Sequence, residues 1–525
     1  MKFKMKPVRA AVALALAGAS GGAFALGAFD APQIDVYLAG ASAPQNILGV
    51  IATGGASGLF SGSQGTDWFV YYDNGTSGTK GASYRAYFGT LKSSAPVPVG
   101  IQGKTVLLID RAKGGSVWGV NPVARNQAIA WMQVSAGNCT SVGAPAGVDY
   151  ICGETGDDSN PADVNNRIPD FGVSDIEPKM FKEPRNTEWD PVAGEPFHEL
   201  SASELGNITT FSGYGLLFGQ PVTKNVTIGG NVVGDPSVYP AGIPAAIYGG
   251  MLAGTIKTWD KVDASLPAEG VMVCRRWPGS GTQASYNQYF HHFPCGVNGK
   301  GGNGTINTAT NADSLADYFV GGIGSADGTS KANAAGIDGT QTSHYLVVQN
   351  SASGDVRTCL KGAKTGTDFF AQDYDGTWYV VQFGGTQPAN SATTGPDSLL
   401  KTGGATRKAI GILSLDSAPT SDWGFAAVSG VAPTKPNMLS LQYDFIEENT
   451  YQYRTSGPNV LGGDKKTYVD LFIQQSGNPA VLSAFTNTAL AAAVAATPIN
   501  YSVSTANVMK GTRSGNACSP IVPVP

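Results

Sequence analysis

Charge is scarce in this chain. Of its 525 residues, 14% are Asp, Glu, Lys or Arg, well below the quarter usual for soluble proteins. Histidine is scarcer still: His198, His291, His292 and His344 are the full set. None stands in an H-x-x-x-H or H-E-x-x-H pattern, and no G-x-S-x-G elbow follows residue 25. Metal-assisted and serine hydrolysis therefore lack their usual residues, and an enzyme is disfavoured. There is no C-x-x-C and no ligand-spaced His, so no metal or cofactor site is expected. No basic cluster exists on which a nucleic-acid backbone could sit, and the formal net charge is −5. Nucleic-acid binding is rejected on that ground. No apolar run reaches the length of a bilayer-spanning helix, and no fixed-period repeat is visible.

What is present is ordinary globular material, with 42% hydrophobic residues, 9% aromatics and 70 glycines. The length exceeds what one core supports, so two or more domains are expected. Residues 1–25 read as a secretory signal, with Lys2, Lys4, Lys6 and Arg9 before an apolar stretch, Ala10 to Leu16, and Ala23-Phe24-Ala25 as a cleavage site. A buried N-terminal helix is the rival reading. Losing the four cations leaves the mature chain at −9. With no Cys near the cleavage site to carry a lipid, a soluble periplasmic or secreted monomer is expected. The six cysteines, Cys139, Cys152, Cys274, Cys295, Cys359 and Cys518, then read as disulfides. The short loop between Cys139 and Cys152 makes that the best single pairing.

Strands are expected at Ile34–Leu38, Trp68–Tyr72, Thr105–Asp110, Val271–Cys274 and Ala409–Leu415. Helices are expected from Gln45, around Tyr84–Phe88 and over Ile243–Leu252. Alternation of this kind predicts an α/β fold with largely parallel sheets. The polar stretch 153–166 lacks the D-x-[DN]-x-[DN]-G spacing of a calcium loop and reads as solvated. Residues 296–340 read as a Gly/Asn/Thr/Ser-rich insertion. The Pro-rich end, 516–525, reads as loose.

Three Gly/hydroxyl segments stand where an apolar strand is expected to give way to a helix: Gly40-Ala41-Ser42, Gly75 to Thr79, and Gly279-Ser280-Gly281-Thr282. Such segments suit a small oxyanion. Glycine lets the backbone approach, hydroxyls donate, and helix N-termini present free N–H groups. Each alone is also a plain N-cap.

Order and neighbours add specificity. Gly40-Ala41-Ser42-Ala43-Pro44 is followed by Asn74 to Thr79, then Asp170-Phe171-Gly172-Val173-Ser174-Asp175. Next come Ile247 to Asp260, containing Trp259-Asp260, and Arg275-Arg276-Trp277-Pro278-Gly279-Ser280-Gly281-Thr282. This series resembles the periplasmic phosphate-binding proteins that serve the phosphate ABC importer, with Ala409-Ile410-Gly411-Ile412 resembling a return strand to the first lobe. The resemblance implies a type II periplasmic binding protein fold of two hinged lobes. Lobe 1 would be 26–205 plus 405–515, and lobe 2 would be 206–404. It also implies a membrane permease as partner. Ser42, the backbone N–H of Ala43, and Ser77 would donate from lobe 1. Asp175 would be the lone acceptor, Arg276 the positive charge, and Ser280, Gly281 and Thr282 the closure from lobe 2.

The set is chemically coherent. Near neutral pH phosphate still carries a proton that Asp175 can accept, whereas sulfate offers only lone pairs. Arg276 supplies a planar fork. Each residue has a plainer reading as well: Asp175 as a helix cap near Pro178, Arg276 as a surface charge, Trp259 as packing. The chain departs from the family pattern at Trp277-Pro278, which cannot orient the arginine as the family's polar residue does. It departs also at Ala43, at Thr76-Ser77 and in its extra length. A secreted adhesion or matrix protein that keeps the fold without the ligand is the alternative function.

Overall fold

The computed structural model describes residues 26–523 apart from 76–79, 144–146, 161, 184–185, 188, 191–194, 197, 296–344, 373–377, 385–397, 403, 485–490 and 495–506. The signal segment, the 296–340 insertion and Ser77 thus lie outside the described residues.

The first strand, β1 (Ile34–Gly40), buries Ile34, Val36 and Leu38 on one face while Asp35 points out, the period of two that defines a half-covered strand. It leads to helix α1 (Gln45–Thr53). Then come β2 (Trp68–Tyr72), β3 (Tyr84–Thr90), β4 (Thr105–Arg111), β5 (Cys139–Val142), β6 (Asp149–Cys152) and β7 (Phe171–Ser174). β8 (Ile208–Leu217) completes the first pass of the chain through this sheet, and β9 (Gln220–Thr223) begins a second sheet. That second layer continues with helix α2 (Ala245–Leu252), β10 (Met272–Arg276), α3 (Gly281–His291), β11 (Leu346–Asn350), α4 (Ser353–Thr365), β12 (Ala409–Gly411) and β13 (Trp423–Ala426). The chain returns through β14 (Ile446–Arg454), α5 (Gly463–Ser476), β15 (Ala491–Val494) and β16 (Val508–Met509).

Two sheets result. The larger has eleven strands in the order β16-β15-β8-β14-β7-β1-β4-β3-β2-β6-β5, and the smaller has five in the order β11-β10-β12-β9-β13. The α/β, two-lobed class expected from the sequence is what the chain adopts. Strand directions are mixed rather than largely parallel. β1 runs parallel to β4 and β7, but β3 is antiparallel to β2 and β4, and β14 is antiparallel to β7 and β8. One reason is β3, where the sequence reading placed a helix. Tyr84 to Phe88 instead forms the second arm of a hairpin with β2, buried on both faces. Asp73 closes the turn by accepting from the Ser83 N–H.

The lobe boundaries also fall later than the sequence reading put them. β8 belongs to the large sheet, so the crossing lies at Phe218–Gly219 and not near 205. β12 pairs in parallel with β10, Val273 beside Ile410. The Ala409–Gly411 strand is therefore central to lobe 2 and is no return strand; the return comes between Ala426 and Ile446. The C-terminal end is likewise not loose. Gly511–Thr512 pairs with Val522–Pro523, and Cys518 is disulfide-bonded.

All six cysteines are paired: Cys139–Cys152, as expected, with Cys274–Cys359 and Cys295–Cys518. The second staples α4 onto β10. That helix buries Val356, Cys359, Leu360 and Ala363, the spacing of a single helical face. An apolar core runs under both sheets and is continuous at the crossing, where Phe218, Tyr286 and Phe445 meet.

Beneath the edge where β1 and β7 end, the backbone closes up without side chains between. A Cβ on Gly172 would lie 1.6 Å from the Gly119 carbonyl oxygen, so only glycine fits. Gly172→Ala is therefore expected to displace the 116–119 turn and to cost about 3 kcal/mol, the upper range for overpacking. A denaturant midpoint equal to that of the parent protein would contradict this packing.

Candidate functional site

The register of the large sheet gathers the lobe 1 groups. Gly40 pairs with Val173, so Ser42, two residues past β1, and Asp175, one residue past β7, stand at the ends of neighbouring parallel strands. The turn after β4 crosses over them, its Ser116 Oγ accepting the Asp175 backbone N–H at 3.2 Å. This is the carboxyl edge of parallel strands, where open α/β sheets bind ligands. Ser42 is half-buried and Ala43 buried. The residue capping α1 is Pro44, and no side chain makes a capping hydrogen bond there.

Lobe 2 meets this edge directly. Val117 N–H donates to the Gly279 carbonyl at 3.0 Å. Thr282 Oγ1 donates to Asp175 Oδ2 at 3.0 Å. The approach is so close at Gly281 that an added Cβ would lie 2.2 Å from Ser116 Oγ and 2.8 Å from Asp175 Cβ. Ser280 is the N-cap of α3, its Oγ accepting the Gln283 N–H at 3.3 Å. Its hydroxyl thus has the capping role, while the helix N-terminus points into the site.

Asp175 is 2% exposed and does not cap the short helical turn at Pro178–Met180, where Glu177 holds the N-cap position. Its second oxygen, Oδ1, is buried without a hydrogen-bond partner among the described residues. Such a group costs free energy unless something donates to it. Burial pushes the Asp175 carboxyl up to about 7, opposed by the Thr282 hydroxyl and the Arg276 charge and reinforced by Asp416.

Arg276 is 2% exposed, so it is not a surface charge. Ser353 Oγ accepts from Arg276 Nη1 at 3.0 Å and the Ser351 carbonyl from Nη2 at 2.8 Å, both at the start of α4. Asp416 lies in the same electrostatic neighbourhood. Burial pushes it up to about 6, with Ser414, Arg357 and Arg276 lowering it. Trp259 is fully buried, its Nε1 donating to the Lys408 carbonyl, and it packs away from the cleft as the plainer reading held.

The structure thus brings together Asp175, Arg276, Ser280, Gly281 and Thr282, with Ser42 and Ala43 on the adjoining strand end. Ser116, Ser353 and Asp416 share the site and were missed. Ser116 was open to the criterion already applied, since Gly114-Gly115-Ser116 follows the clear strand β4. In the 153–166 stretch, Asp158 forms a bidentate pair with the buried Arg111, at 2.8 and 3.0 Å.

What this arrangement can do is hold a small anion by neutral donors and one guanidinium, while offering it one buried acceptor. No protein-family profile matches the chain, and no curated protein matches it. Solved structures do. A protein from Clostridium perfringens, solved with phosphate bound and described as a phosphate ABC transporter substrate-binding protein, is 10% identical, with a TM-score of 0.39 over 87% of this chain and 98% of its own. PfluDING, a periplasmic phosphate-binding protein, is 14% identical, with a TM-score of 0.32 over 87% and 90%. An ABC-type phosphate transport receptor from Vibrio cholerae is 11% identical, with a TM-score of 0.29 over 62% and 80%. Each of these three solved proteins is described as a phosphate-binding or phosphate-transport protein.

Proposed function

We propose that this protein is an exported solute-binding protein that captures phosphate between its lobes by hinge closure and presents it to a membrane ABC permease. The observation that carries the reading is the meeting of Asp175 from lobe 1 with Thr282 and the α3 N-terminus from lobe 2. One buried carboxylate oxygen is left there for an incoming hydrogen-bond donor. Phosphate near neutral pH is both acceptor and donor, and it satisfies both sides of such a site. Ser42, the Ala43 N–H and Ser77 donate from lobe 1, and Arg276 with Ser280, Gly281 and Thr282 from lobe 2.

Calorimetry with phosphate, arsenate and sulfate on phosphate-stripped protein tests the reading. Phosphate at 100 times its dissociation constant should raise stability by about 2.7 kcal/mol. Absence of heat and of thermal shift with all three anions would remove the transport reading and favour the adhesion or matrix alternative.

A further inference from the structure

Helix α3 carries the lobe 2 half of the site at its N-terminus, and its other end is fastened to lobe 1. It belongs to lobe 2 by its anchors. Tyr286 donates to the Leu413 carbonyl, and His291 Nε2 lies 3.0 Å from the Gly249 carbonyl oxygen. Just past its last turn, Cys295 is disulfide-bonded to Cys518, 223 residues away. Cys518 belongs to lobe 1. The segment that holds it follows β16 in the large sheet and is pinned there on both sides. Thr512 and the Arg513 N–H donate to Glu448 of β14, each at 2.6 Å, and the Ala517 N–H donates to Glu177. Polar contacts run alongside the disulfide. Gln288 Nε2 donates to the Ala517 carbonyl at 2.8 Å, and Asn287 Nδ2 to Asn186 Oδ1 at 2.7 Å.

We infer that Cys295–Cys518 is a covalent clasp across the lobes that restricts cleft opening, and that its reduction by a dithiol frees α3 to swing wide. The backbone passes between the sheets at Phe218–Gly219 and again between Ala426 and Ile446, and two such crossings permit rotation about a hinge. The disulfide is a third covalent crossing. To release Asp175, Thr282 must move away from lobe 1. With α3 pinned at its far end, roughly 16 Å along the helix by its rise per residue, that movement is confined to a pivot about the clasp.

The clasp is also where a reductant can reach. Cys518 is exposed and Cys295 half-buried, whereas Cys274 and Cys359 are fully buried. A groove of about 460 Å³, lined by Lys179, Met180, Lys182, Glu199, Pro294 and Cys518, opens beside it. One thiolate of the dithiol attacks Cys518 Sγ, breaking the Cys295–Cys518 bond and forming a mixed disulfide. The second thiolate displaces Cys518. The dithiol leaves as its own disulfide after giving two electrons, and its two protons end on Cys295 and Cys518.

The test compares the parent protein, a Cys295→Ser/Cys518→Ser variant and a Cys139→Ser/Cys152→Ser control whose disulfide lies within one lobe. Small-angle scattering reads the radius of gyration without phosphate, and release of radiolabelled inorganic phosphate reads the exchange rate. The clasp variant should be larger without phosphate and should release it about tenfold faster or more, because opening precedes release. The control should match the parent. Dithiol treatment of the parent, with alkylation and mass spectrometry to confirm which cysteines opened, should reproduce the effect without any substitution. Equal radii and equal release rates with phosphate still bound would overturn the clasp and leave the proposed function intact. A larger radius without phosphate binding in any form would uphold the clasp and defeat the proposed function.

Discussion

Asp175→Ala lowers phosphate affinity by roughly a hundredfold, the worth of a hydrogen bond to a charged group, and brings phosphate and sulfate to within about tenfold of each other. In the parent protein the gap between the two anions should be on the order of 10⁴, because a buried acceptor left facing a lone pair penalises the wrong ligand heavily. On the proposed function, Asp175 would make that choice through an oxygen that has no hydrogen-bond partner among the described residues. Burial pushes its carboxyl up to about 7, so discrimination should depend on pH. Well above 7 the ionised group accepts the phosphate proton and repels sulfate. Below 7 the protonated group donates instead, and the sulfate penalty shrinks. Calorimetry with both anions, at about pH 8 and about pH 6, checks both statements. Selectivity that is unchanged by the substitution and by pH would place the discrimination elsewhere.

The residues that converge here were legible because chemistry and chain order were both visible. Gly281 and Thr282 sit in a short segment whose composition suits few structures other than a strand-to-helix turn, and Asp175 directly ends an apolar strand. What stayed hidden depended on partners far away in sequence. β3 was read as a helix because a strand covered on both faces shows no alternation, and Tyr84-Arg85-Ala86-Tyr87-Phe88 is consistent with either structure. Whether Ile208–Leu217 or Ala409–Gly411 belonged to the first lobe was decided by which strands they pair with, which no local pattern records. The Cys139–Cys152 pair follows from proximity along the chain, while Cys295–Cys518 depends on two lobes being brought together. Asp416 directly follows the apolar run Ala409–Leu415 and was missed because that run resembles a return strand to the first lobe. The fork of Arg276 shows the same limit. The family's orienting position holds Trp277-Pro278, and the compensating Ser351 and Ser353 lie some 75 residues on.

The protein should be more stable at about pH 5 than at about pH 8 when phosphate is absent. Four carboxyls, three of them buried and Asp416 half-buried, are pushed far above their ordinary range: Asp110 to about 7, Asp175 to about 7, Asp416 to about 6 and Glu447 to about 8, with desolvation the largest cause in each. In the unfolded chain the same groups lose their protons near 4. Between those limits the folded state holds more protons than the unfolded one, so unfolding free energy falls as pH rises. The contribution of each group is whole below about pH 4 and is lost as pH climbs through its folded value. Each ionising group removes about 1.4 kcal/mol per pH unit across its interval, on the order of 4 kcal/mol for Asp110 alone. The opposite limb comes from Asp158, held low mainly by Arg111 against its burial, and from Glu204, held low by Ser201 and Arg125. Those pairs are lost as pH falls below about 4, which sets the maximum near pH 4. Asp110→Asn removes one of the four titrations at a group whose main electrostatic relief is Arg85 and which the Gln45 side chain of α1 also relieves. Its melting temperature should fall less steeply than the parent's between about pH 6 and pH 8. A parent melting temperature that is flat or rising over that interval would show that these carboxyls are ionised in the folded protein, and with them the Asp175 chemistry on which anion choice depends.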